Sequence, residues 1–230
     1  MAFFRGPNIV TDGLVLHVDA ASSRSYPGSG TTWTDLSPTK NNGTLINGTG
    51  FNTSNFGSLA FDGTNDYVNF PHTSAYNMSS LTVLVWIKLD SPYTSTFRNI
   101  ISKSGTDRDW NLYTYSSANN GNINYFHLST ARASGYPSTA FISGNLSLNT
   151  WHQVGFSMSS SSFFYVLNGK KLQIDTSVSF SNANNSYPIR IGSDGSNYTN
   201  GNIANTTVYN KQLSANEILQ NYNAIKKRFL

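Results

Sequence analysis

A single glutamate, Glu217, stands beside ten aspartates, four histidines and 33 serines, and there is no cysteine. Retaining glycoside hydrolysis needs two carboxyls about 5 Å apart, and a lone glutamate rules out any mechanism built on a glutamate pair. Asp107 and Asp109 form a spaced pair around Arg108, but the stretch is polar and reads as a loop. The lack of cysteine excludes a thiol nucleophile, thiolate zinc sites and disulfides. Serine, histidine and aspartate all occur, yet no G-x-S-x-G elbow is present. His17, His72, His127 and His152 are scattered, with no H-E-x-x-H pair for zinc. No phosphate-binding glycine motif occurs either. The expectation is a protein that is not an enzyme.

Binding chemistry is better represented. Aromatic rings stack on the C–H faces of sugars while a few convergent polar groups fix orientation. Trp33, Tyr93, Trp110, Tyr136 and Tyr198 lie in stretches that read as loops and are the candidate platforms, although each residue type also suits a core or rim. Hard oxygen ligands for calcium are available in Asp62, Asn65 and Asp66, and again in Asp194 and Asn197. Asp and Asn beside Gly are also turn formers. No cofactor is required, and Ca²⁺ is the one ion these loops suit.

These residues must be positioned by strands. Short apolar runs recur between Gly, Asn and Ser clusters, the pattern of a sandwich or barrel. The candidates are Leu14–Asp19, Leu59–Asp62, Asp66–Phe70, Leu81–Leu89, Asn99–Lys103, Asn111–Tyr115, Ile123–Leu128, Thr139–Ile142, Trp151–Met158, Phe163–Leu167, Ile189–Gly192 and Ile203–Tyr209. His152, Val154, Phe156 and Met158 share one face of their strand, so His152 is expected on the packed side. Val83, Val85 and Ile87 oppose Leu84 and Trp86, which suits a central strand covered on both faces. Asn168-Gly169 marks a type I′ hairpin, and Asp62-Gly63-Thr64-Asn65 is expected to close another. One helix is expected, over 214–229. Ser214 and Glu217 have capping-box spacing, and Ile218, Tyr222, Ile225 and Phe229 follow as an apolar stripe.

Ser, Thr and Asn make up more than a third of the 230 residues, whereas only 11% are charged. The net charge is +4, and three of the cations, Lys226, Lys227 and Arg228, sit together near the C-terminus. The remainder is near neutral, so no nucleic-acid face is expected. The longest apolar run, Val83–Ile87, is too short to span a bilayer. The N-terminal residues lack the charged region and apolar stretch of a signal peptide. Coiled-coil heptads that would enforce a homo-oligomer are also absent.

Several blocks of sequence carry a resemblance. They include Gly13-Leu14-Val15-Leu16 with Asp19-Ala20, and Trp33-Thr34-Asp35-Leu36-Ser37 followed by Asn41-Asn42-Gly43-Thr44-Leu45. Next come Leu59-Ala60-Phe61-Asp62-Gly63 with Asp66-Tyr67-Val68, then Trp151-His152-Gln153-Val154 with Tyr165-Val166-Leu167-Asn168-Gly169. The closing block runs from Val208-Tyr209-Asn210 through Leu213-Ser214 to Glu217-Ile218. In this order the chain resembles the LamG-like jellyroll domains of the concanavalin A-like lectin/glucanase superfamily. The resemblance implies an all-β jellyroll sandwich of two antiparallel sheets, covering 13–230 with the C-terminal helix, after an N-terminal arm over 1–12. Pro7–Leu14 and Tyr26–Trp33 are similar to LamG-like structural proteins of tailed phages.

That likeness implies a virion protein made in a host cytoplasm and displayed on the particle exterior, as a head decoration or fibre module. Its partners would be other capsid or tail proteins and host surface glycans, with no nucleic acid and no membrane, and a homo-oligomer would be in keeping. Phe3, Phe4 and Arg5 with Lys226, Lys227 and Arg228 are the attachment candidates. The alternative is a secreted or surface carbohydrate-binding module of a bacterium. A thiol-free chain suits either setting, since no exposed sulfur is left to oxidise.

Overall fold

A computed structural model describes residues 6–90, 97–104, 108–115, 125–129, 146–175 and 185–230. In chain order its strands are β1 (Leu14–Asp19), β2 (Thr32–Trp33), β3 (Gly43–Ile46), β4 (Gly50–Asn52), β5 (Ser58–Asp62), β6 (Tyr67–Phe70), β7 (Leu81–Leu89) and β8 (Phe97–Ser104). They continue as β9 (Arg108–Tyr115), β10 (Tyr125–Ser129), β11 (Trp151–Met158), β12 (Phe163–Leu167), β13 (Lys170–Asp175), β14 (Ile189–Ile191) and β15 (Asn200–Tyr209). The first sheet has eight strands in the order β13-β12-β11-β7-β15-β5-β4, with β1 also paired to β15; the second has seven, in the order β10-β9-β8-β14-β6-β3-β2. All the pairings are antiparallel, and apolar residues from both sheets meet in one core, the expected jellyroll sandwich.

Local sequence explains several elements. Strand β7 is central in the first sheet. Val83, Val85 and Ile87 enter the core between the sheets, whereas Leu84 and Trp86 belong to two smaller clusters on the other face. Asn168 and Gly169 have φ of 49° and 77° and join β12 to β13, as a type I′ turn requires. At Gly155 a Cβ would come within 2.0 Å of the Val83 carbonyl oxygen, so only glycine fits at that point of the β11–β7 pairing. The candidate strand Thr139–Ile142 lies outside the described residues.

The segment 62–66 is not the expected hairpin. Strand β5 belongs to the first sheet and β6 to the second, so the segment carries the chain between them. Phe61 and Val68 are both buried in the same core, from opposite sides. Two apolar runs around a polar turn look alike whether their strands pair or face each other.

The outer face of the first sheet is covered by α1 (Ala215–Ile225) and the chain ends. The capping box forms: Ser214 N–H donates to Glu217 Oε2 at 2.8 Å and Glu217 N–H to Ser214 Oγ at 3.3 Å. Ile218 packs with Leu84 and Val166, and Ile225 with Trp86 and Trp151. The N-terminal segment lies along the helix, with Val10 N–H donating to Asn221 Oδ1 at 2.8 Å and Gln220 Nε2 donating to the Asn8 carbonyl at 2.8 Å. Beyond the helix, Phe229 stacks on Trp86 and Trp151 at centroid distances of 4.6 and 4.5 Å. Arg228 pairs with Asp19 at 2.8 Å and donates to the Gly57 carbonyl at 3.0 Å.

Arg228, one of the attachment candidates, is thus engaged within its own chain. Lys226 lies over the Tyr222 ring and Lys227 is exposed, while Phe3, Phe4 and Arg5 lie outside the described residues. Among the described residues no helix is long and apolar enough to cross a membrane.

Two histidines make this packing sensitive to acid. Burial lowers the pKa of His17 below the ordinary 6.5, against the opposing charges of Asp19 and Asp35. Burial also lowers that of His152, whose Nδ1 meets Asn168 Nδ2 at 3.2 Å. The unfolded chain therefore takes up protons first as pH falls through about 6.5. Stability present above that value is lost on acidification, until the folded-state histidines also protonate. Asp66 acts in the opposite sense at lower pH, because burial raises its pKa. We expect the urea midpoint to be lower at pH 5 than at pH 8, with a His17→Asn, His152→Asn variant showing a flatter profile.

Candidate glycan-binding face

The register of the second sheet aligns one residue from each strand. Thr32, Thr44, Asn69, Arg190, Ser102, Asn111 and Ser129 follow one another across all seven. Every member is polar. The neighbouring row holds Leu45, Val68, Ile191, Ile101 and Leu112, all in the core. Because strand side chains alternate in direction, the part of the row from Thr32 to Asn111 faces away from the core.

Half of this face is covered. Ser102 and Asn111 are buried, and Asn111 has no partner for either amide atom. Ser102 Oγ donates to the Ser193 carbonyl at 2.8 Å, and Thr199 Oγ1 donates to the Asn99 carbonyl at 2.6 Å. The loop after β14 is thereby drawn over β8. The half formed by β3, β6 and β14 is open. Thr44 is exposed there, and Tyr67, Asn69 and Arg190 are half-buried. Tyr67 and Asn69 share a face because Val68 and Phe70 point into the core. The Arg190 guanidinium lies 5.6 Å from the Tyr67 ring centroid. The patch therefore joins an aromatic ring, an amide, a hydroxyl and a guanidinium on one side of the sheet.

The two loops considered for calcium meet at the rim of this sheet. Arg98 Nη1 donates to the Gly63 carbonyl at 2.8 Å and to the Tyr198 carbonyl at 3.2 Å, tying one loop to the other. Asp62 Oδ1 accepts from the Thr64 N–H at 2.8 Å and the Asn65 N–H at 3.4 Å. The Thr64 bond is the main cause of its lowered pKa. Asp194 Oδ1 accepts from the Ser196 and Asn197 N–H groups at 3.0 and 2.8 Å, and the Asn197 side chain donates to the same carboxylate. Asp66 is buried, with one oxygen accepting from the Asp62 N–H at 3.2 Å and the other unpartnered. Among the described residues no group of three or more His, Cys, Asp or Glu could hold a metal. As placed, the Asp62 and Asp194 carboxylates serve their own turns.

The aromatic candidates separate. Trp33 is fully buried and Trp110 is 1% exposed, both within the core, so neither can present a face to a sugar. Each follows strand alternation: Thr32 and Asn111 lie on the outer row, which sends Trp33 and Trp110 inward. Tyr198 sits half-buried on the rim, its hydroxyl donating to the Gly195 carbonyl at 3.4 Å. Tyr93 and Tyr136 lie outside the described residues. Sequence reasoning missed Tyr67, Asn69 and Arg190. The available signal was a polar residue between two core residues in Val68-Asn69-Phe70 and in Ile189-Arg190-Ile191.

Comparison with known proteins gives one family. A model described as the concanavalin A-like lectin/glucanases superfamily matches residues 62–219. The chain has no significant sequence match among curated proteins. Among solved structures it is similar to a Trypanosoma rangeli sialidase mutant displaying trans-sialidase activity, with TM-score 0.70 and 16% identity over 98% of this chain and 35% of that one. It is also similar to the binding domain of botulinum neurotoxin DC in complex with SialylT, with TM-score 0.71 and 14% identity over 94% and 52% of the two chains. A third is domain 4 of AbnA, a GH43 extracellular arabinanase from Geobacillus stearothermophilus, in complex with arabinotriose. It has TM-score 0.71 and 11% identity, covering 93% of this chain and all of that one. The chain spans 35% of the sialidase and 52% of the toxin chain.

Proposed function

Because the chain belongs to the concanavalin A-like lectin/glucanase superfamily, we propose that it is a non-catalytic carbohydrate-binding module whose ligand lies on the outer face of the second sheet. The observation that carries this reading is the open patch of Tyr67, Asn69, Thr44 and Arg190, with Tyr198 on its rim. A ring face can stack on a pyranose while the amide, hydroxyl and guanidinium meet its hydroxyls. The saccharide complexes named for the toxin domain and the arabinanase domain give further support.

Binding without hydrolysis is supported by the place of the sole glutamate. Glu217 is held by Lys211 at 2.8 Å and by the Ser214 N–H, in that order the causes of its lowered pKa. A general acid needs its pKa raised toward the working pH, the reverse of what Glu217 experiences.

A glycan array followed by calorimetry tests the reading. We expect Tyr67→Ala to weaken the best glycan by about tenfold or more, equivalent to ~1.4 kcal/mol, with the melting temperature unchanged. Full affinity in that variant would exclude this face, and silence across the array would exclude the function. For the setting, we propose the exterior of a tailed-phage particle, supported by the likeness of Pro7–Leu14 and Tyr26–Trp33 to such proteins. A secreted or surface bacterial module would present the same face. Copurification with particles through a density gradient separates the two.

A further inference from the structure

Arg190 is the cation of the open patch, and among the described residues no acid pairs with it. It lies mid-strand between Ile189 and Ile191, whose side chains enter the core, so its own is sent to the outer face. Among the described residues its guanidinium forms no ion pair and donates to no protein acceptor, and its Nε is closed off from solvent as well. Its row neighbours, Asn69 and Ser102, are neutral. Nη1 abuts the rim loop, 3.0 Å from where a Cβ on Gly195 would stand. The carboxylate of that loop, Asp194, is engaged by the backbone N–H groups of Ser196 and Asn197 and by the Asn197 amide.

A guanidinium partly withdrawn from water and left without an acceptor among the described residues carries a desolvation cost that its contact with the Tyr67 ring offsets only in part. The planar fork of arginine matches a carboxylate through two parallel N–H···O bonds, and such pairs are strong where water is partly excluded. We infer that the saccharide taken by this face is acidic, and that a uronic or sialic acid carboxylate docks on Arg190. Tyr67 then underlies the sugar ring, and Asn69 and Thr44 stand within the same patch to meet its hydroxyls. This inference rests on the glycan-binding reading and adds the charge class of the ligand.

The test uses the intact chain and a panel of uronate- and sialate-bearing oligosaccharides, each paired with its carboxyl-reduced form. Calorimetry should give about tenfold or more tighter binding to the acidic member of the preferred pair, weakening as salt rises. Arg190→Gln should erase that difference, bringing the acidic form down to the affinity of its reduced partner in the same variant. Arg190→Lys should keep part of the preference, since it retains the charge and loses the fork. If the Gln variant fails to fold by thermal melt, the Lys variant and the paired ligands still decide. Equal affinity for acidic and reduced forms, or a preference that survives Arg190→Gln, would overturn the acidic assignment and leave glycan binding standing. Failure to bind any acidic or neutral glycan would overturn both.

Discussion

Asp35→Ala should lower the folding free energy by about 4 kcal/mol or more, one of the largest losses expected of a single side chain in this domain. The Asp35 carboxylate is fully buried and accepts four hydrogen bonds. Oδ1 takes the N–H groups of His17 and Ser37 at 2.9 and 2.8 Å; Oδ2 takes the Ser37 hydroxyl at 2.8 Å and the Asn41 N–H at 3.0 Å. Alanine would leave the two Ser37 donors buried, and the His17 and Asn41 N–H groups part-buried, without acceptors, at about 1–3 kcal/mol each where water cannot reach. Asp35→Asn should cost less. It keeps the Oδ1 bonds, and the Ser37 hydroxyl can rotate to accept from the new amide, so the Asn41 N–H is the main loss. Urea unfolding with a common m-value would measure the series. An alanine variant within 1 kcal/mol of the parent would show that the loop rearranges to satisfy its donors by other means.

The same network explains why the Trp33-Thr34-Asp35-Leu36-Ser37 … Asn41-Asn42-Gly43 block has the form it does. Asp35 N–H donates to Asn42 Oδ1 at 3.0 Å, which closes the loop on itself. Gly43 leaves room for Phe70, whose ring would lie 2.5 Å from a Cβ there. The motif is therefore a construction for turning the chain from β1 into the second sheet. Its tryptophan is core, and its aspartate is an acceptor for backbone.

Features set by neighbours in sequence were legible before the fold was known. The two apolar faces of β7, the Asn168-Gly169 turn and the Ser214–Glu217 box each depend on a few consecutive residues. The binding face was not legible. Its row draws on positions 32, 44, 69, 102, 111 and 190, brought together only by non-local pairing. Short strands hide their direction as well. Strand β2 has two residues, too few for a period, so Trp33 read as an exposed loop aromatic. The 62–66 turn has the composition of a hairpin and the role of a crossover.

Lys103 and Asp109 pose the sharpest case of this kind, and their substitution should be the other large effect. Around Asp107, Arg108 and Asp109 the sequence reads as a polar loop, yet β9 begins at Arg108 and Asp109 is 4% exposed. Lys103 is fully buried, on the same row as Ile189 and Trp110. Pairing passes from Lys103 with Trp110 to Ser104 with Arg108, so Asp109 is the extra residue of a bulge. Bulges re-aim side chains, and this one brings the carboxylate onto the Lys103 ammonium. The ammonium also donates to Asn185 Oδ1 at 2.8 Å. Removing either charge takes from the other its ion-pair partner in a buried site, which costs about 3–5 kcal/mol, whereas replacing both with apolar residues is often neutral or stabilising. We therefore expect Lys103→Met and Asp109→Leu each to lower stability by about that amount. Lys103→Met combined with Asp109→Leu should recover most of the loss. A double-mutant cycle on urea midpoints reads the coupling directly. Additive losses in the double variant would mean that the pair acts through packing and the bulge, with little electrostatic coupling.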